Sequence, residues 1–136
     1  MSDQARPLEV DGMCFACGQR NPIGLKLDFH FEGDDYVTTF QVKPEYQGWR
    51  GIAHGGLLAT VLDEVMTRIL WEKGLGSVTG RLEVRYRQPV PVGSVLEIRG
   101  RITRHRPPVI ETEATATAPD GRLVAEAKSV SMEVRA

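Results

Sequence analysis

Residues 54–71 read HGGLLATVLDEVMTRILW, and the apolar positions in this stretch decide the fold. Leu57, Leu58, Val61, Leu62, Val65, Met66, Ile69 and Leu70 recur at intervals of three and four, the period of an α-helix. The face they form is wider than the apolar stripe of an ordinary surface helix, so the helix must be enclosed by other elements. A curved sheet is the natural enclosure. Gly74 and Gly76 stop the helix, and a glycine-rich loop over residues 43–56 leads into it.

On either side of this helix the period falls to two, the signature of half-buried strands. Leu25, Leu27, Phe29 and Phe31 alternate with Lys26, Asp28, His30 and Glu32. Gly33-Asp34-Asp35 turns the chain, and Tyr36 to Val42 runs back. Beyond the helix, Leu82, Val84 and Tyr86 alternate with charged residues, as do Leu96, Ile98 and Ile102. Two further strands, from Val109 to Ala118 and from Leu123 to Val134, flank the turn Pro119-Asp120-Gly121. Short turns between consecutive strands imply antiparallel pairing. The order strand, strand, helix, then four strands predicts an α+β domain, one antiparallel sheet wrapped around one long central helix. Residues 1–24, punctuated by Pro7, Gly12, Gly18, Pro22 and Gly24, read as an irregular N-terminal segment. Residues 25–136 read as a single domain.

A chain of 136 residues fits one domain with enough core to fold without staples. Its 17 basic and 18 acidic side chains nearly cancel, which argues against a nucleic-acid partner. No apolar run approaches the ~18 residues of a membrane span, and the first ten residues, MSDQARPLEV, lack the apolar core of a secretory signal. The expected compartment is the cytoplasm. Cys14 and Cys17 are the only cysteines, spaced C-x-x-C. A structural zinc takes four ligands, and His30, His54 and His105 are scattered singly, so no metal is expected. A redox pair should sit between a strand and a helix, whereas this one precedes a Gly-Gln-Arg-Asn-Pro turn. The expectation is two reduced thiols in a packed turn, although two subunits could pool four thiols around one zinc.

The chemistry concentrates at His54-Gly55-Gly56 and Asp63. A helix N-terminus exposes unpaired N–H groups and the positive end of the helix dipole, and glycine lets a substrate oxygen approach them. That combination suits an oxyanion. Asp63 shares the sparse polar face of the helix with Thr60 and Thr67, where a carboxylate should be exposed, paired or used. From spacing alone two readings stand: a catalytic site, or a tight glycine loop followed by a solvated stripe.

The stretch HGGLLATVLDE, with the later RLEVRYRQPVPVGSVLEIRGRITR, resembles the hotdog-fold acyl-CoA thioesterases, most closely those of the phenylacetate-degradation (PaaI-like) type. The likeness runs over residues 12–134, and CFACG followed by NPIGL belongs to it. It implies acyl-CoA as substrate, with coenzyme A entering as part of the substrate and no separate cofactor. It implies that Asp63 attacks the thioester or activates water, and that the N–H of Gly55 or Gly56 polarises the carbonyl. Thr67 would position the water, and His54 would shape the pocket or cap the helix. Gln47 would offer its amide, and Trp49, Met66 and Trp71 would line the acyl pocket. Arg104 and Arg106, placed in a turn, would bind phosphate. Glu64 points about 100° away from Asp63 and reads as a structural partner. The resemblance further implies a homodimer or tetramer joined through sheet edges, with sites at the interface. The rival readings are a hotdog hydratase or dehydratase, a non-catalytic acyl-CoA-binding domain, and a metal module built on Cys14 and Cys17.

Overall fold

The computed structural model describes residues 8–134, so residues 1–7 of the expected N-terminal segment, and the last two of the domain, lie outside the described residues. The elements run β1 (Phe29–Glu32), β2 (Asp35–Gln41), a single 3-10 turn (Pro44–Tyr46), α1 (Gly55–Glu72), β3 (Ser77–Tyr86), β4 (Val95–Arg106), β5 (Val109–Thr117) and β6 (Leu123–Glu133). The six strands form one antiparallel sheet in the order β1-β2-β4-β5-β6-β3. Inserting α1 between β2 and β3 sends β3 to the far edge, where it pairs only with β6.

The helix face predicted to be apolar is the core. Leu58, Val61, Leu62, Val65, Met66, Ile69 and Leu70 are all buried, and they pack with Phe40, Leu96, Ile98, Ile110, Ala114, Ala116 and Ala125 of the sheet. Met66, expected in an acyl pocket, is 1% exposed and belongs to this core. The alternation in β5 is strict, with Ile110, Thr112, Ala114 and Ala116 turned inward. Small residues on this face let the helix approach. At Gly100 on β4 a Cβ would stand 3.1 Å from Val65 Cγ1 and 3.4 Å from the Val65 carbonyl oxygen.

The first strand is shorter than its alternation suggests, starting at Phe29 rather than Leu25. Lys26 takes a left-handed backbone conformation, φ 52°, and the amides of Leu25 and Leu27 donate to Phe15 and Ala16 at 2.8 and 2.9 Å. The backbone of this stretch is therefore spent on the N-terminal turn instead of on β2. Ala16 and Leu27 are buried in the common core, so the N-terminal turn packs as part of the same body. The helix starts two residues before Leu57, at Gly55, and β3 starts at Ser77.

Replacing Gly100 with alanine should therefore force α1 away from β4. A loss of about 1–3 kcal/mol in unfolding free energy is expected, measured by urea denaturation of the two proteins.

Candidate active site

The loop before α1 is tightly bonded. Gly48 N–H donates to the Ile52 carbonyl at 2.8 Å and Ile52 N–H to the Trp49 carbonyl at 2.9 Å. Gln47 Oε1 accepts from Gly51 N–H at 3.0 Å, so the amide oxygen of Gln47 serves the loop itself. Trp49 stands at the tip, 84% exposed. His54 N–H donates to the Tyr46 carbonyl and Ala53 N–H to the Val90 carbonyl, both at 2.8 Å. These bonds fix the direction in which the helix begins.

His54 is the N-cap. Its backbone is extended, φ −68° and ψ 125°, its carbonyl accepts from Leu57 and Leu58 at 3.1 and 3.2 Å, and its Nδ1 accepts from Gly56 N–H at 2.9 Å. The Gly56 donor is thus occupied by the cap, a role the sequence left open for this histidine. Gly55 N–H donates to nothing among the described residues, leaving it free for an incoming acceptor. Tyr86 bounds this spot: its hydroxyl donates to the Gly55 carbonyl at 2.6 Å, and its ring lies 3.4 Å from where a Cβ on Gly55 would stand.

Two turns along the helix, Asp63 is half-buried and accepts a hydrogen bond on Oδ1 from Thr79 Oγ1 at 3.1 Å. Thr67 Oγ1 lies 3.4 Å from the same Thr79 oxygen. A threonine hydroxyl has one proton, and that of Thr79 is spent on the carboxylate, so Thr67 is the donor in the second bond. The order is Thr67 to Thr79 to Asp63. Burial raises the Asp63 pKa above the ordinary aspartate value, and the Thr79 hydroxyl opposes this as the lesser influence. The helix dipole acts mainly over the first turn, and Asp63 lies beyond it.

Sequence reading missed Thr79 and Tyr86. The available signal for Thr79 was Gly80 inside a strand pattern, which marks a bulge; the register of β3 on β6 does shift between Thr79 and Arg81, and bulges re-aim side chains. Tyr86 looked like any inward residue of an alternating strand.

Residues 50–125, more than half of the chain, match the family model described as "Thioesterase superfamily". The chain belongs to the thioesterase superfamily. Acyl-coenzyme A thioesterase THEM5 of Mus musculus is 37% identical over 73 residues, covering 52% of this chain and 29% of that protein; the chain therefore spans less than a third of that relative's length. Among solved structures, Escherichia coli PaaI from the phenylacetic acid degradation operon superposes with a TM-score of 0.76 at 17% identity, covering 82% of this chain and 81% of that one. The smu.793 protein of Streptococcus mutans UA159, solved bound to acetyl CoA, gives 0.74 at 24% identity, covering 79% and 87%. At these identities the likeness is one of fold, and the fold is the hotdog.

One expectation for this thioesterase-superfamily chain needs correction. Arg104 and Arg106 lie within β4, because the strand runs past a bulge between Ile102 and Arg104 and turns only at Pro107-Pro108. Arg104 faces Glu111 at 3.9 Å, and β5 and β6 separate both arginines from β3. Arg99, which bonds Glu32, Asp35 and Glu97, and Arg87, which bonds Glu126, are likewise engaged in pairing on the sheet. No helix among the described residues is long and apolar enough to cross a membrane.

The raised pKa makes a prediction about stability. Ionised Asp63 costs folding free energy, and the cost arises as pH climbs from the unfolded value, ~3.9, through the higher folded one. Asp63→Asn, whose amide oxygen still accepts from Thr79, should stabilise the protein at pH 7. That gain should fade as pH falls toward 4. Urea denaturation at the two pH values checks it.

Proposed function

We propose that this chain is an acyl-CoA thioesterase, hydrolysing an acyl-CoA thioester to the free acid and coenzyme A. The placement of Asp63 carries the reading: a half-buried carboxylate without a cationic partner among the described residues, held by a chain of two threonine hydroxyls at the open edge of the sheet. The acyl-CoA thioesterase named among the relatives supports it. Asp63 removes a proton from water as the oxygen bonds to the carbonyl carbon, and Gly55 N–H holds the oxyanion. Collapse breaks the C–S bond, and the departing sulfur recovers the proton from Asp63. Direct attack by the carboxylate, through a mixed anhydride that water opens, gives the same products. A thioester is already an activated acyl donor, so the reaction needs no cofactor. A positioned base contributes roughly 10²–10⁴-fold and one oxyanion donor about 3 kcal/mol.

Asp63 and Gly55 cannot serve one carbonyl within a single chain. Eight residues of helix separate them by about 12 Å, while each must come within about 3 Å of the reacting group. A homodimer resolves this. β3 leaves a ten-residue edge without a partner in the sheet, with Val78, Leu82 and Tyr86 exposed along it. Open edges of that length pair or are protected. Joining two β3 strands lays two α1 helices side by side, so that Asp63 of one chain meets the partner's Gly55, with tetramers formed from such dimers. Gln47 and Trp49 travel with the partner's helix start and cover the acyl group. Arg106, which makes no ion pair among the described residues, is better placed than Arg104 to hold a phosphate. Two thiols free of any disulfide fit a reducing compartment, and we place the protein in the cytoplasm.

Thiol release from a panel of aromatic and aliphatic acyl-CoA esters tests the reaction. Asp63→Ala should lower the rate at least about a hundredfold; equal rates would remove Asp63 from the mechanism. Thr79→Val strips away the bond that favours the ionised carboxylate, so the acidic limb of the kcat/KM profile should move to higher pH. The composite site has its own test. Gly55→Pro deletes the free N–H at a helix position that tolerates proline, after a residue already extended as proline requires, and should cost about 10²–10³-fold. Co-expressed Asp63→Ala and Gly55→Pro chains form mixed dimers with one complete site each, so roughly a quarter of wild-type activity should return. Dimers with no recovered activity would sink the shared-site arrangement.

A further inference from the structure

Glu64, turned about 100° around the helix from Asp63, faces the two cysteines that the proposed reaction leaves unused. Cys14 Sγ, Cys17 Sγ and a Glu64 carboxylate oxygen all lie within 4.8 Å of one another, and the distance from Cys14 Sγ to Glu64 Oε2 is 3.7 Å. The thiols are delivered by a rigid turn. Gly18 N–H closes it on the Cys14 carbonyl at 2.8 Å, and Asn21 Nδ2 donates to the Met13 carbonyl at 3.0 Å. Gly18 is required there, since a Cβ would stand 2.4 Å from the Gly12 carbonyl oxygen and 2.5 Å from Cys14 N. Ala16, between the cysteines, is buried in the core. Neither thiol has to search for the helix.

The charges around this cluster call for a cation. Glu64 makes no ion pair among the described residues, and both thiols stand against it, with Cys14 Sγ donating at 3.7 Å. Arg68, one turn on, is taken by Glu72 at 3.1 Å and by Cys17 Sγ at 3.5 Å. Two thiolates and a carboxylate carry three negative charges; a divalent ion offsets two of them, and the Arg68 guanidinium, shared with Glu72, screens part of the third. Thiolate ligands select zinc over magnesium or calcium. Atoms bound at about 2.0–2.3 Å to one tetrahedral centre stand roughly 3.3–3.8 Å apart, so the widest pair here has to close by about 1 Å. The fourth position opens on a groove of about 380 Å³, lined by Leu8, Val10, Met13 and Trp71 besides these residues, with room for a water.

We propose that Cys14, Cys17 and Glu64 bind one zinc ion per chain, with water as the fourth ligand, clipping the N-terminal turn to α1. The two thiol protons leave to solvent as the ion binds. The ligands are distinct from Asp63 and Thr79, although Thr67 borders the same groove, and metal binding is read independently of the proposed reaction.

The test uses the reduced full chain, stripped with chelator, incubated with zinc chloride and desalted. Elemental analysis should find one zinc per chain, with a Kd below about 1 μM by competition with a chromophoric chelator. Cobalt(II) in its place should give thiolate charge-transfer absorption in the near ultraviolet. Cys14→Ser/Cys17→Ser should retain no metal, and Glu64→Gln should weaken binding about tenfold or more, each with the wild-type circular dichroism spectrum. Wild-type protein that keeps no zinc overturns the proposal. So does half a zinc per chain, which would mean four thiols shared between subunits, or a Glu64→Gln affinity equal to wild type.

Discussion

Seven side chains of α1, from Leu58 to Leu70, are buried against the concave face of the sheet. At about 1.5–3 kcal/mol each, an upper bound because unfolded chains already bury some surface, their burial rivals the whole net stability of a domain this size. The sheet is shaped to receive them. Gly100, Ala114, Ala116, Ala125 and Ala127 are small and buried, and they let the helix sink in where larger residues would hold it off.

That burial sorts the remaining residues of the helix. Whatever is polar on α1 must emerge where the sheet does not cover it, and two such margins exist. Asp63 and Thr67 meet Thr79 of β3. Glu64 and Arg68 face the N-terminal turn and its thiols. Neighbours in sequence thus enter unlike surroundings: one carboxylate is raised in pKa by burial beside hydroxyls, the other stands against sulfur. The start of the helix is equally constrained, because His54 spends the Gly56 donor on its own ring and Tyr86 binds the Gly55 carbonyl, leaving one free N–H.

The edge strand β3 unites these features. The long connection through α1 places it at the end of the sheet, where its outer backbone groups have no partner among the described strands. The bulge at Gly80 aims Thr79 at Asp63, and Tyr86 at its other end reaches the helix start. One strand supports the carboxylate and closes over the free Gly55 N–H, about 12 Å apart on the same helix.

Periodicity in the sequence was enough to determine the helix, its enclosure by an antiparallel sheet and the place of Asp63 on its polar face, because a period of 3.6 or 2 is a local property that burial merely reads out. The spacing of His54, Gly55 and Gly56 marked the helix start for the same reason. What local pattern could not supply was partnership. Leu25 and Leu27 alternate like strand residues, yet their amides bond the N-terminal turn; Arg104 and Arg106 follow a strand pattern into what looked like a turn, yet the strand continues through Arg106. Thr79 lies 16 residues from Asp63 and Glu64 lies 47 from Cys17, and no period links them. Those contacts exist because the sheet wraps the helix and the N-terminal turn packs beside it. Only the tertiary structure decided which hydroxyl holds the carboxylate, which glycine keeps a free donor and what stands beside the thiols.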